Sequence, residues 1–157
     1  MNAGIVAADT TITLADSQNF STSGKALIGD CSADKPSNLV PIITEVAIGK
    51  REKITIFGND YSTFDGTPIR DYIHVSDLAI AHIKALLYIT DSGQDLFVNL
   101  ATGEGYSVLE VIHKTMEVTG VSIPYNVVNR RPGDTAEMVA ISSVAKDLLS
   151  WQPKYSG

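Results

Sequence analysis

The sequence predicts an α/β fold, a small mixed sheet with flanking helices. Three observations carry that prediction. Residues 53–57, Lys-Ile-Thr-Ile-Phe, alternate apolar and polar with β-branched side chains, the pattern of a half-buried strand. Residues 107–110, Ser-Val-Leu-Glu, form a capping box ahead of a helix that Gly120 stops. The elements then interleave as helix, strand, strand, helix, strand, helix, strand, helix.

Residues 1–23 are rich in Thr, Ser, Ala and Asp and form an undetermined N-terminal segment, distinct from the portion 24–157. Residues 24–37 read as loop. Asn38 is an acceptable N-cap, Pro41 sits in the first turn where its missing N–H does no harm, and Gly49 ends the helix. Leu39, Ile42, Ile43 and Val46 fall on one face of it. After the strand at 53–57, Gly58-Asn59-Asp60 and Asp65-Gly66-Thr67-Pro68 are turn clusters, and the residues that follow Arg70, up to Val75, read as a second apolar strand.

Ser76-Asp77 opens the next helix, which runs to Ile89 and is apolar nearly all the way round. A surface helix of a small domain has a polar face, so this one is built to be covered on two sides. His82 within it reads as a packed histidine rather than a ligand. Residues 95–100 and 123–128 read as strands, and Ser142 and Ser143 cap a last short helix that ends near Trp151. Trp151 and Tyr155 pack the C-terminus. Gly103-Glu-Gly105 between strand and helix is half of a dinucleotide fingerprint, but Val108 stands at its third glycine position.

Composition narrows the partners. The chain has 157 residues, 44% of them hydrophobic and 19% charged, enough for one core. A net charge of −6 argues against nucleic acid and against an anionic membrane. Cys31 is the single cysteine and the three histidines lack metal-ligand spacing, so neither a disulfide nor a metal is expected. No apolar run approaches the roughly 20 residues of a membrane span, and Met1-Asn-Ala lacks the basic flank of a signal peptide. A cytoplasmic location is the default expectation.

The arginines mark the chemistry. There are four, and Arg70, Arg130 and Arg131 lie in two polar, glycine-bearing loops. A guanidinium at the mouth of a strand, beside the rings of Tyr61 and Phe64, suits a phosphorylated planar ligand. The plainer alternative is a surface loop whose Arg70 pairs with Asp71. For Arg130-Arg131-Pro132-Gly133-Asp134 it is a turn with a local Arg–Asp pair.

The run 55–75, from Ile-Phe-Gly through Asn-Asp-Tyr-Ser-Thr-Phe-Asp-Gly-Thr into Arg-Asp-Tyr-Ile-His-Val, resembles the UDP-glucose (UDP-galactose) 4-epimerases. The resemblance continues through Ser76-Asp77-Leu78-Ala79, Asn99-Leu100-Ala101-Thr102-Gly103 and the Arg130–Asp134 run, covering residues 24–157. Ala101 stands where that family usually shows glycine. Related nucleotide-sugar dehydratases and decarboxylases cross 58–69 with a shorter link, which favours the epimerases.

The resemblance implies the C-terminal part of an extended short-chain dehydrogenase/reductase-type fold and a UDP-hexose site. Asn38 and Leu39 would touch the nucleotide, and Thr55, Ile56 and Phe57 would line the uracil. Arg70 and Arg131 would hold the diphosphate, and Asp134 would accept the ribose hydroxyls. In the family, a tyrosine takes the C4 hydroxyl proton while bound NAD takes the hydride, which then returns to the other face.

That chemistry needs a Gly-x-x-Gly-x-x-Gly turn for NAD and a Tyr-x-x-x-Lys pair. None of the twelve glycines falls into the fingerprint, and no tyrosine has a lysine four residues on. The expectation is therefore a chain equivalent to the UDP-sugar-binding part of an epimerase, truncated or mis-started, without the NAD-binding half. It carries no catalytic residue of its own, binds no NAD alone, and pairs with the missing half or with itself. A free-standing UDP-sugar-binding module and a piece of a related dehydratase or decarboxylase are the alternatives. The identity of the sugar stays open.

Overall fold

A computed structural model describes residues 36–155. The expectations for residues 1–23, for most of the 24–37 loop and for Cys31 lie outside the described residues. Along the chain come α1 (Leu39–Ala47), β1 (Ile54–Phe57), β2 (Ile69–Asp71), α2 (Val75–Ser92) and β3 (Gly105–Ser107). They are followed by α3 (Val108–Thr119), β4 (Tyr125–Val128), β5 (Glu137–Met138) and α4 (Ser143–Leu149). The chain divides into two compact units. One holds residues 36–71 and Glu104–Val139; the other holds Tyr72–Gly103 and residues 140–155.

The first unit carries all five strands, in two small sheets rather than the single mixed sheet expected. β1 pairs in parallel with β4, from Ile54 opposite Tyr125 to Phe57 opposite Val128. β2 lies between β3, antiparallel to it, and β5, parallel to it. β3 and β5 went unread because three and two residues are too few to show a period. The core is on the inner face of β1: Ile54 and Ile56 are buried with Ile43 and Val46 of α1, Ile112 of α3, and Ile123. Leu39 and Ile42 pack against that cluster, as the helical spacing predicts.

α3 begins as the sequence indicates. The Ser107 hydroxyl accepts from the Glu110 amide (3.0 Å), and the Glu110 carboxylate accepts from the Ser107 amide (2.8 Å). Gly120 ends the helix in the left-handed conformation, its amide donating to Met116.

The second unit is α2 and α4 around one apolar cluster. Leu78, Ala81 and Ala85 of α2 meet Ala145 and Leu149 of α4, together with Leu100 and Trp151. Trp151 is buried and its indole donates to the Asp77 carbonyl (2.9 Å). The Asp77 carboxylate accepts from the amides of Lys154 (2.9 Å) and Tyr155 (3.0 Å), tying the C-terminal residues to the first turn of α2. Tyr155 itself is exposed, its ring 5.4 Å from that of His74, so only the tryptophan of the expected pair packs inside. Lys84 donates to the carbonyls of Leu149 and Ser150 (both 3.0 Å), closing the C-terminus of α4.

Several elements differ from expectation, β4 among them, which begins at Tyr125 rather than at residue 123. β2 ends at Asp71, because His74 caps α2 by accepting from the Ser76 amide (3.1 Å) and so starts the helix early. At its other end α2 reaches Ser92. Residues 95–100 form no strand: Leu96, Val98 and Leu100 turn inward and Phe97 and Asn99 outward, but no neighbouring strand among the described residues pairs with them. Ser142 precedes α4 without capping it, since its hydroxyl donates to the Ala101 carbonyl instead (3.1 Å).

α2 buries one face and exposes Ile83, Leu86 and Leu87, while Ile80 packs against the cluster. His82 is half-buried and its Nδ1 donates to the Leu78 carbonyl (2.7 Å), as expected of a packed histidine. No helix among the described residues is long and apolar enough to cross a membrane.

Candidate ligand-binding site

Every residue of the expected site belongs to the first unit. Strand alternation sorts the three expected site residues of β1. Ile56 turns into the core at 2% exposure, whereas Thr55 faces out and donates from its hydroxyl to the Asn126 side-chain oxygen (3.2 Å). Phe57 is half-buried at the end of the strand. Ile54 and Gly58 donate from their amides to the Pro124 and Val128 carbonyls. The backbone N–H and C=O of Thr55 and Phe57 therefore point to the other edge of β1, where no strand pairs among the described residues. That edge offers a donor beside an acceptor.

The loop 58–68 is folded on itself rather than free. Asp65 closes it: its Oδ1 accepts from the Thr67 amide and hydroxyl (both 2.8 Å), and its Oδ2 accepts from the Ser107 hydroxyl. Gly66 holds φ +79°, and a β-carbon there would land on the Asn59 carbonyl. Thr67 and Ser107 are fully buried. Burial pushes the Asp65 carboxyl up, but the bonds from Ser107 and Thr67 outweigh it and hold the group below the ordinary aspartate range. The loop thus delivers the chain into β2 in a fixed register.

At that point stands Arg70. Its Nη1 donates to the Ile69 carbonyl (2.8 Å) and the Thr135 carbonyl (3.1 Å), and its Nη2 lies 4.0 Å from Asp134 Oδ1. Tyr106 and Met138 flank it on the neighbouring strands. The expected local pair with Asp71 is thus replaced by a partner from the loop 129–136. That loop runs from the end of β4, beside Phe57, to the start of β5, beside β2. On its way it lays the Arg131 guanidinium over the Phe57 ring, 3.7 Å from the centroid.

One connection therefore unites Phe57 with Arg131 and Arg70 with Asp134. Arg131 is exposed, and Arg70 keeps a fifth of its side chain open to solvent. Asn38 and Leu39 lie at the N-terminal end of α1, with Leu39 packed on the cluster that contains Ile56. They belong to α1, not to the two loops. Sequence reading placed Asp65 in a turn cluster but gave its side chain no partner, although an aspartate two residues before a threonine is the signal of an Asx turn.

At the start of α3, after Gly103 and Gly105, the helix amides are engaged within the chain. A pyrophosphate would need the free amides of the α3 N-terminus. The Val108 amide donates to Pro68 (3.1 Å), the Leu109 amide to the Thr67 hydroxyl (3.3 Å), and the Glu110 amide to Ser107. Among the described residues no cluster of three or more His, Cys, Asp or Glu side chains is arranged to hold a metal.

A protein-family model described as GDP-mannose 4,6 dehydratase matches residues 31–157. The UDP-glucose 4-epimerase of Yersinia enterocolitica is 51% identical over 128 residues, 82% of this chain and 38% of that protein. The human UDP-glucose 4-epimerase is 48% identical over 124 residues, 79% of this chain and 36% of that protein. Among solved structures, the Stenotrophomonas maltophila UDP-glucose 4-epimerase, with bound NAD and formylated UDP-arabinopyranose, superposes with a TM-score of 0.76 at 44% identity. The Bifidobacterium longum enzyme, in complex with NAD+ and UDP, does so with a TM-score of 0.74 at 40% identity. Each superposition covers 82% of this chain and 38% of the solved one. The chain spans little more than a third of the length of the curated relatives it matches. It belongs to the GDP-mannose 4,6 dehydratase family, a short-chain dehydrogenase/reductase family, and is homologous at about 50% identity to part of the UDP-glucose 4-epimerases.

Proposed function

We propose that this chain is the UDP-sugar-binding part of a UDP-glucose 4-epimerase and that residues 36–71 and Glu104–Val139 hold the UDP portion of a UDP-hexose. The observation that carries the reading is the loop 129–136, which sets Arg131 on Phe57 and Asp134 beside Arg70. A uracil edge carries an N–H between carbonyl oxygens, matching the backbone groups that Thr55 and Phe57 turn to the open edge of β1. Arg131 covers a face of the Phe57 ring, so the base meets that edge rather than stacking on the covered face. Ile56 turns its side chain into the core and its backbone groups toward β4, so it only spaces Thr55 and Phe57 along that edge. A diphosphate carries about two negative charges, and charge-assisted bonds from Arg70 and Arg131 are roughly twice as strong as neutral ones. Asp134 accepts from the ribose hydroxyls once the phosphate draws Arg70 forward, and Asn38 and Leu39 complete the nucleotide contact from α1.

Epimerisation is assigned to the longer proteins of the family rather than to this chain alone. The sequence supplies neither the glycine fingerprint nor the Tyr-x-x-x-Lys pair, and the amides at the start of α3 are taken. Thermal unfolding with and without UDP-glucose tests the binding reading. A ligand that binds only the folded state raises stability by RT ln(1 + [L]/Kd), about 2.7 kcal/mol at a hundredfold excess over Kd. A midpoint that rises with UDP-glucose supports the site; one that stays constant up to millimolar ligand contradicts it.

A further inference from the structure

We infer that Arg130 is a positioning residue for Arg131, acting through a stacked latch with Tyr61 and Asp60. The inference deepens the UDP-hexose reading and rests on it. Arg130 faces away from Asp134, the acidic residue of its own loop, and reaches back 70 residues along the chain to Asp60. Its Nε donates to Asp60 Oδ1 (2.6 Å) and its Nη2 to the Asp60 carbonyl. The guanidinium carbon lies 4.0 Å above the centroid of the Tyr61 ring, which is 4% exposed. One planar cation is thus held by two donor contacts and a ring face, a combination that lysine cannot reproduce.

The backbone is shaped around this stack. Gly58 holds φ +92°, and its amide donates to the Val128 carbonyl (2.9 Å) at the last rung of β1 and β4. A β-carbon at Gly58 would come within 2.6 Å of Arg130 Cγ and 2.7 Å of Tyr61 Cε2. The position is therefore open to glycine alone, on backbone and on packing grounds together. Arg130 and Arg131, adjacent in the chain, are seated on Tyr61 and Phe57, four residues apart in the facing loop. Fixing residue 130 fixes where the backbone of residue 131 begins. An exposed arginine otherwise spreads over many rotamers, and ordering it on binding phosphate opposes affinity.

The bland reading is an exposed ion pair of negligible consequence. It differs in what Asp60→Asn and Arg130→Met do to the stacking of the Arg131 side chain on Phe57, a contact in which neither altered side chain takes part. The experiment measures two things on the wild type, R130M, R130K and D60N. The first is the NMR position of the Arg131 Nε–H proton, shifted upfield by the Phe57 ring when stacked; the second is affinity for UDP and for uridine. We expect R130M and R130K to move the Arg131 signal toward its unstacked position. UDP affinity should fall about three- to fivefold, the factor of an exposed cation–π contact, with uridine affinity unchanged. D60N, at a largely exposed carboxylate, should act in the same direction without unfolding the chain. In the double variant R130M/D60N the losses should be less than additive, since both break one latch. An Arg131 signal that stays in place in R130M and D60N overturns the positioning role. A moved signal with unchanged UDP affinity in a wild type that binds UDP overturns it as well. A wild type that binds no UDP overturns the site reading instead, and the proton signal still decides the latch.

Discussion

The Ser107 hydroxyl donates to the carboxylate of Asp65, joining two residues 42 positions apart in the chain. Ser107 is at once the N-cap of α3 and a strut for the loop that leads into Arg70, so helix start and loop closure are one structure. Burial pushes the Asp65 carboxyl up, but the bond from Ser107 and those from Thr67 outweigh it and hold the group below the ordinary aspartate range. A carboxylate depressed in the folded state stabilises it fully above the unfolded pKa, and that contribution is lost as pH falls through the folded value. Wild type should therefore lose stability in acid more steeply than Asp65→Asn, which should be less stable than wild type at neutral pH. Urea unfolding across about pH 7 to 3, bracketing the unfolded aspartate pKa, checks this. Parallel pH profiles for the two proteins would show that Asp65 contributes nothing through its charge.

α2 leads to a second expectation. Ile83, Leu86 and Leu87 stand exposed on one side of a helix whose other side is already in the core. Burying such a side chain is worth roughly 1.5–3 kcal/mol, a sizeable share of the usual 5–15 kcal/mol of stability. The chain by itself should self-associate or be marginally stable, and co-expression with the remaining part of a full-length relative should raise its solubility. Light scattering should show association that Ile83→Lys with Leu87→Lys removes. A wild type that is monodisperse and unfolds cooperatively above about 65 °C, the top of the usual mesophile range, would contradict it.

Catalysis gives a third. Purified chain supplied with NAD+ and UDP-galactose should form no UDP-glucose above the uncatalysed background. No Tyr-x-x-x-Lys pair is present to take the C4 proton and no glycine fingerprint to seat the dinucleotide. Product analysis on material freed of host epimerase is the check. Turnover that persists and tracks the chain through purification would contradict the assignment of chemistry to the longer proteins.

The helices were legible because their signals are local. The capping box at Ser107 and Glu110 and the stop at Gly120 each act within one turn of the residue that reveals them, while Asn38 stands at the N-cap of α1 without a side-chain cap bond. β1 was legible by alternation, and β4 as an apolar stretch whose first two expected residues stay outside the strand. The two sheets were not, because partner choice depends on contacts such as Ile69 with Glu137, between strands too short to carry a pattern. Residues 95–100 show the converse: the alternation is real and the side chains obey it, but a strand exists only when something pairs with it. In the candidate site, Arg70 and Arg131 stood out as rare arginines in glycine-bearing loops, whereas Asp134 and the residues of α1 and β1 came from the family resemblance. What no local pattern could give is which carboxylate each arginine meets. Arg70 passes over Asp71 for Asp134, and Arg130 passes over Asp134 for Asp60.

The measurement that bears most directly on the central claim is calorimetric titration of the folded chain with UDP and with uridine. If Arg70 and Arg131 receive a diphosphate, UDP binds more tightly than uridine. Arg70→Ala and Arg131→Ala should each then remove about 1.5–3 kcal/mol from the UDP affinity, the worth of a hydrogen bond to a charged group, and little from that of uridine. Equal affinities for UDP and uridine in the folded wild type would contradict the account.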